Sequence, residues 1–527
     1  MDVPPRKLTA WHAALGAVLL FGLLLRLKGI HDPLLDHPGW RQGDTAAIAR
    51  NFATLDLNPF HPQVDYNGPP PNYVELELQI VPFLAALLYK LFGIHEVFGR
   101  LISIGFSLLT VGLLGIFARR LFRSDVAGLT AALLFAMYAG SVYYGRTFTP
   151  ETAMACLATA ALYAGYRWIV DATPRGATGF WLAAGLAALA ILAKPVAAVV
   201  LVPIVTVAVW HSGWRAALSR PALWGYVAVA LVPYLAYDGY VRSIAEWQWA
   251  SGIMGRHVVP ELFAAFASPH AFGQKLNQFG NALVMLRATM LGPLGFGLLV
   301  LAIVIPVRAE IRVLLGAYLL ALLAYTFVVV TVERVDYYLY LWLPLAALWT
   351  GGLVGRIAEL LGPNNPWNRG AVALAGVVFA GMVLLSRAAV HDYYHFDPDV
   401  HRRARALDAT LPPGGLIVMA HYGPNVLYYI DRKGWEEDPL LWTPFDEESA
   451  IRKGARVFVA IEERRLRRNL DLCHWLERFP IVDPKAAWPV YLTDPARMLP
   501  GAEARWQAFR ALERAGKAKP CLALRQR

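Results

Sequence analysis

The stretch 37–52, HPGWRQGDTAAIARNF, gathers the side chains best suited to chemistry. Asp44, expected at or near the N-cap of a helix, is a carboxylate that could take a proton from a hydroxyl. Trp40, Arg41 and Gln42 crowd the same turn with groups suited to sugar and phosphate contacts. The competing expectation is a capping aspartate on an interfacial helix, with Ala47, Ile48 and Phe52 turned to lipid or protein. A second stretch, SVYYGRTFTPETA at 141–153, places Arg146 five residues before Glu151. Pro150 and Glu151 suit the first turn of a helix, so capping and a snorkelling arginine are again the plain alternative.

Other polar residues are isolated in apolar surroundings. Lys194-Pro195 interrupts two apolar runs, where a lysine either snorkels or meets a lipid phosphate. Glu75 and Glu77 share a face if the chain is extended, and are ordinary helix-start acids if it is not. In VERVDYYLYLW, 332–342, Arg334, Asp336 and Tyr337 lead into aromatic residues that read as interfacial anchoring. The long loop expected over 242–283 adds Arg256, His257, Glu261 and Lys275, with Trp247 and Trp249 able to face sugars or headgroups. His31, Asp32, Asp36 and His37 are metal-ligand types, as are His391, His395, Asp397, Asp399 and His401. Neither group has the spacing of a closed metal site, although His391 and His395 would share a helix face. No metal is assigned, and a divalent cation stays a minor expectation.

The elements that must position these groups follow from composition. The chain has 527 residues, 57% hydrophobic and 17% charged, against about 25% charged in ordinary soluble domains. Charge is uneven: residues 1–389 carry 46 charged side chains and residues 390–527 carry 41. The first part is therefore expected in lipid and the 138-residue tail in water. Of the net +11, 8 charges lie in the apolar part, where basic residues mark cytoplasmic membrane flanks, which argues against a nucleic-acid partner. Three cysteines exclude a disulfide scaffold or Cys-rich zinc module. Cys473 and Cys521 could pair in an oxidising compartment, provided their Cα separation is not well above ~7 Å.

Runs long enough to cross about 30 Å of hydrocarbon, roughly 20 residues each, occur near 10–28, 99–118, 125–142, 151–170, 178–193, 195–210, 222–241, 284–306, 313–331, 338–355 and 370–388. Residues 1–7 and the first run resemble a signal anchor. The segment 78–92 is shorter and contains Pro82. If it lies along the surface, one side's short loops hold Arg119, Arg120, Arg123, Arg175, Arg215, Arg220, Arg308, Arg312, Arg356 and Arg369, with Arg6 and Lys7. The other side's short loops hold Arg146, Lys194 and Arg334. The positive-inside rule then favours eleven crossings, with the loop 29–97, the loop 242–283 and the tail noncytoplasmic. In the tail, 416–420, 457–461 and 488–492 read as strands, and 424–432 and 463–479 as helices. The expected fold class is mainly α, with a small C-terminal α/β domain over 390–527 following a membrane domain over 1–389.

The order of GDTAAIARNF, LLYKLFGIHEVFGR, ARRLF, YYGRTFTPETA and DYYLYLWLPLAAL resembles the polyprenyl-phosphate-sugar glycosyltransferases of the protein O-mannosyltransferase and aminoarabinose transferase superfamily, over about residues 10–350. The resemblance implies a polytopic GT-C fold in a bacterial inner or plasma membrane. It also implies a polyprenyl-phosphate-linked sugar as donor, an acceptor glycan, lipid or protein, and inversion without a covalent intermediate. The family's first-loop aspartate, its proposed base, maps onto Asp44 and its second acidic residue onto Glu151. Many relatives carry an Asp-Glu pair where this chain has Arg41-Gln42, and the family's Glu-Lys-Pro-type motif is replaced by Glu75-Leu76-Glu77. In that frame Lys194, Arg146, Arg256 and Arg334 would neutralise the leaving phosphate, while Trp40, Arg41, Gln42, Glu75, Glu77, Asp336 and Tyr337 would contact sugar or acceptor. The rival readings are a lipid-linked-sugar flippase or transporter, and a polymerase or ligase using diphosphate-linked glycan.

Overall fold

The computed structural model describes residues 10–171, 176–362, 368–411, 414–482, 487–517 and 521; Arg6, Lys7 and Arg175 lie outside them. The chain divides into two compact units. One comprises Met1–His31, Glu75–Ile244 and Gln248–Tyr394, and the other Asp32–Val74, Ala245–Trp247 and His395–Arg527.

The first unit is helical. Among the described residues, eight helices are long and apolar enough to cross a membrane: Glu96–Phe122, Glu151–Val170, Gly176–Ala193, Pro195–Ser212, Pro269–Val304, Ala309–Glu333, Asp336–Leu361 and Arg369–Ala389. Ala10–Arg26 and Asp125–Met137 are shorter apolar helices, and the run at 222–241 lies in the helix Pro221–Ile244. Ile80–Phe92 has 13 residues, a length of about 20 Å at 1.5 Å per residue, short of a bilayer core.

In lipid the helices gain little from apolarity alone, so close approach of small residues does the packing. Gly176–Ala193 buries Ala183, Ala184, Ala187 and Ala190. A methyl at Gly351 would stand 2.7 Å from the carbonyl oxygen of Ala127, and one at Gly355 2.8 Å from its Cβ. The helix Trp342–Leu361 therefore lies on Asp125–Met137 nearly backbone to backbone.

The expected long loop over 242–283 is corrected. Pro221–Ile244 runs into it, and Ala250–Ile253, Met254–Val258, Val259–Ala265 and Pro269–Met285 are helical. Pro269–Met285 is the first part of the long helix Pro269–Val304, and the segments before it are too short to show a helical period in the sequence. The aromatic residues after Asp336 are also not a lipid-facing belt, since Tyr340, Leu341 and Trp342 are buried and Trp342 Nε1 donates to Thr326 Oγ1 at 3.0 Å.

The second unit is built on a four-stranded sheet in the order Gly434–Glu436, Leu416–Met419, Ala455–Val459, Val490–Tyr491. The first three strands are parallel, with Ile417 opposite Gly434 and Val457, and the last is antiparallel. LIVM and the buried face of ARVFV are the continuous apolar runs that a covered parallel sheet requires. Pro398–Asp408, Pro424–Ile430, Pro444–Arg452, Leu470–Leu476 and Ala502–Arg514 are its main helices. Cys473 and Cys521 form a disulfide with a Cα separation of 6.0 Å.

The linear division at 389/390 misses the make-up of this unit. Residues 32–74, expected to belong to the membrane domain, pack with the tail. Leu34 N–H donates to Tyr429 Oη at 2.7 Å, and Lys433 bonds Asn51 and Asp65. Gly68 N–H donates to Gly434 O at 2.8 Å, and Gly434 N–H to Asp65 O at 3.0 Å. Arg50, Asn51 and Asp65 of this loop find partners in the tail.

Candidate active site

Asp44 does not cap a helix. It sits inside the helix Gly39–Thr54, whose N-cap is Pro38. Twelve of that helix's sixteen residues are buried, including Asp44, Ala47, Ile48 and Phe52, so it is a core helix rather than an interfacial one. Its close seat explains the two glycines: a Cβ on Gly43 would lie 2.3 Å from Asn425 Cα and 2.5 Å from Asn425 N. Glycine costs about 1 kcal/mol against alanine in a helix, and here it permits backbone contact with the helix Pro424–Ile430.

The Asp44 carboxylate is 1% exposed. It accepts from Arg41 Nη1 at 3.2 Å and from the Tyr66 hydroxyl at 3.1 Å. Arg41 supplies the opposite charge a buried carboxylate needs, and the phenol adds a neutral donor. Burial, and then the charges of Asp44 and Glu436, hold the Tyr66 hydroxyl well above its usual range, so it stays a donor. Gln42 is buried and donates to the Asp36 carboxylate at 2.8 Å, which makes it a structural support of this turn. Trp40 is half-buried beside it. One turn further on, Arg50 pairs with Asp65 and Asp431. Burial alone would raise the Asp65 carboxyl, but Arg50 and Lys433 hold it below the usual range.

The first unit brings a different set together. Glu151 opens its helix after Pro150 and is fully buried, ion-paired with Lys194. Lys194 has extended backbone between Gly176–Ala193 and Pro195–Val200, the conformation expected before proline. Its ammonium lies 4.5 Å from the ring centre of Tyr338 and 5.2 Å from that of Tyr337. Asp336 is buried and accepts from the hydroxyls of Tyr144 and Tyr393, each at 2.5 Å. Arg146 does not snorkel. It is 0% exposed, donates to Gly29 O at 3.2 Å, and faces the rings of Tyr394 at 4.4 Å and Tyr143 at 4.9 Å.

The remaining expected residues have other surroundings. Glu75 is buried, and its carboxylate accepts from Ser251 N–H at 2.9 Å and Ser251 Oγ at 3.1 Å, with Arg242 Nε 3.6 Å away. Burial raises the Glu75 carboxyl. Glu77 is buried, and its main-chain carbonyl accepts from Gln79 and Tyr237. Only Glu75 lies in a strand, Val74–Glu75, so no ladder carries a shared face on to Glu77. Arg256 and Arg334 are exposed and donate to the carbonyls of Gln248 and Thr331. Arg334 lines a cavity of about 210 Å³ with Gln278, Asn281 and Met285. His391 lies in a turn and His395 beyond the short helix Asp392–Tyr394, so the two share no α-helical face. Sequence reasoning missed Tyr66, Asn425 and Glu436, and the tyrosines Tyr144 and Tyr393. No spacing rule links any of them to Asp44 or Asp336.

Residues 79–237 match the family model described as dolichyl-phosphate-mannose-protein mannosyltransferase. No curated protein matches the chain by sequence. Among solved structures, ArnT from Cupriavidus metallidurans bound to undecaprenyl phosphate is similar at a TM-score of 0.60 and 16% identity, covering 92% of this chain and 100% of that one. Its apo state is similar at 0.60 and 15%, covering 93% and 100%. The Archaeoglobus fulgidus oligosaccharyltransferase in its apo form is similar at 0.60 and 11%, covering 90% of this chain and 72% of that one. At such identities the likeness establishes the fold, which is GT-C.

Proposed function

We propose that this member of the GT-C glycosyltransferase superfamily moves a sugar from a polyprenyl-phosphate donor to an acceptor hydroxyl on a glycan, lipid or protein, with inversion. The reading is carried by one observation: a chain of this fold buries the Asp44 carboxylate between an arginine and a tyrosine hydroxyl. Asp44 takes the proton of the acceptor hydroxyl as its oxygen bonds the anomeric carbon. The bond from that carbon to the phosphate oxygen breaks, and its electron pair leaves with the polyprenyl phosphate. Within the first unit, Lys194 and Arg146 are the proposed ligands of a donor phosphate, and Glu151 orients Lys194. Asp336 and Tyr337 are proposed sugar or acceptor contacts, as are Trp40 and Arg41. Glu75, Glu77 and Gln42 act as supports, and Arg256 and Arg334 as exposed cations on the approach. The printed ligand of the ArnT structure, undecaprenyl phosphate, supports the donor class.

The membrane is read as a bacterial inner or plasma membrane, with the second unit on its noncytoplasmic side. The Cys473–Cys521 pair supports that side, because disulfides persist in oxidising compartments. Arg119, Arg120, Arg123 and Arg308 converge around one cavity, as basic residues of one membrane face should.

The test is Asp44→Asn, which keeps the shape and one of the two accepted hydrogen bonds but removes the base. Purified protein is supplied with polyprenyl monophosphate sugars and, separately, with diphosphate-linked oligosaccharide. Transfer from the monophosphate by the natural chain and none by the variant is expected. Near-normal turnover by the variant would refute the base, and transfer only from the diphosphate would refute the donor class.

A further inference from the structure

Glu436 ends the strand Gly434–Glu436 in the tail and is 4% exposed. Its Oε2 is buried without a hydrogen-bond partner. The groups that act on it are the carboxylates of Asp44, from the Gly39–Thr54 helix, and of the adjacent Glu437, together with the Gly423 N–H from the turn before Pro424–Ile430. Were it ionised, its charge would act on the hydroxyls of Tyr66 and Tyr422. Among the described residues no lysine or arginine pairs with it, whereas Arg41 pairs with Asp44.

Two carboxyls buried in one neighbourhood, with an arginine paired to Asp44 and none to Glu436, do not both ionise, because a second unpaired charge in a low-dielectric site is too costly. The arginine and the tyrosine hydroxyl are both on Asp44, so the proton belongs on Glu436. We infer that Glu436 is a positioning residue of the Asp44 site: as the neutral acid it adds no second charge beside the Asp44 carboxylate. This rests on Asp44 being the base of a transfer from an anionic donor. A neutral Glu436 matters there because an ionised one would repel the donor's phosphate. Burial, then the charges of Asp44 and Glu437, push the Glu436 carboxyl well above the usual carboxylate range, in keeping with that placement. The tail thereby supplies part of the site rather than a cover for it. It does so through backbone as well, since Gly434 bonds both Gly68 and Asp65, the residues flanking the Tyr66 segment.

The experiment compares the full chain with Glu436→Gln, which is permanently neutral. KM for a polyprenyl-phosphate sugar and kcat are measured against pH, alongside infrared difference spectra of both proteins. In the natural chain KM should rise roughly tenfold as Glu436 ionises above neutral pH, the scale of one added charge at an effective dielectric near 20. In the variant KM should stay flat across the same pH range. The natural chain should also show a protonated-carboxyl band at neutral pH that the variant lacks. The infrared measurement needs no activity, so it speaks even if the variant is inactive. Matching KM profiles, or an ionised Glu436 at neutral pH, would overturn the inference. An active Asp44→Asn variant would remove the base reading, and with it the role assigned to Glu436, while leaving the infrared band in place. The two failures are thus told apart.

Discussion

Replacing Gly43 by alanine tests whether the candidate site depends on the tail. The new methyl would stand 2.3 Å from Asn425 Cα, whereas carbons rest at about 3.5–4.0 Å. The obstacle is main chain, so no side-chain rotation relieves it, and the helix must withdraw by about 1.2–1.7 Å. Overpacking of this kind costs about 1–3 kcal/mol, and the better helix propensity of alanine returns about 1 kcal/mol. The net loss should be about 0–2 kcal/mol. The larger effect falls on Asp44, the next residue, since a misplacement of about 1 Å can cost ~100-fold in rate. Gly280→Ala is the control, because it lies in the helix Pro269–Met285 with nothing within 4 Å of its Cβ site. Thermal unfolding in detergent and turnover with polyprenyl monophosphate sugar are the assays. Gly43→Ala should melt lower and turn over about 100-fold more slowly, and Gly280→Ala should match or exceed the natural chain. If the two variants behave alike, the backbone contact does not position Asp44.

Three further outcomes are expected. Lys194→Met removes the ammonium paired with the buried Glu151 carboxylate and should destabilise the protein by about 3–5 kcal/mol; adding Glu151→Gln should recover much of that loss, and additive losses in the double variant would refute a coupled pair. Burial pushes the Glu447 carboxyl up to about 8, against which Trp442 Nε1 bonds its charged form. The folded tail therefore holds a proton that the unfolded chain loses near pH 4.5, so stability is fullest below that and falls with rising pH, by about 1.4 kcal/mol per unit, until about pH 8. Glu447→Gln should flatten this slope in urea titrations across that window. Cys473→Ser removes a crosslink closing 48 residues and should cost at most about 4 kcal/mol, read as a lower melting temperature and loss of the linked peptide pair in non-reduced mass maps.

The helices of the first unit were legible because apolar runs of spanning length have few alternatives, and each of the eleven runs lies in helix. The tail strands at 416–420, 457–461 and 488–492 were legible for a similar reason, being short apolar runs between turn residues. The edge strand Gly434–Glu436 was not, because GWE has no strand-like composition and is ordered by its neighbours. Asp44 stood out by residue type, but its helix begins earlier than its capping chemistry suggested, since Gly39 and Gly43 look like helix breakers until Asn425 is seen against them. Lys194 was visible as a charge beside Pro195, and its partner Glu151 as a helix-start acid. Their pairing was not visible, because 43 residues separate them and no local period joins them. Tyr66 and Glu436 carried no signal at all, as their contact with the Asp44 environment comes from long-range packing.

The interleaving of the second unit also sets an order of events in time. Asn51 and its partner Lys433 are 382 residues apart, and synthesis at ~5–20 residues per second separates their appearance by about 20–75 seconds. Throughout that interval the helix bearing Asp44 lacks the surface against which it packs. The candidate base is therefore among the last parts of the molecule to be put in register, and a nascent chain halted before the tail would carry that helix without the surface that seats it.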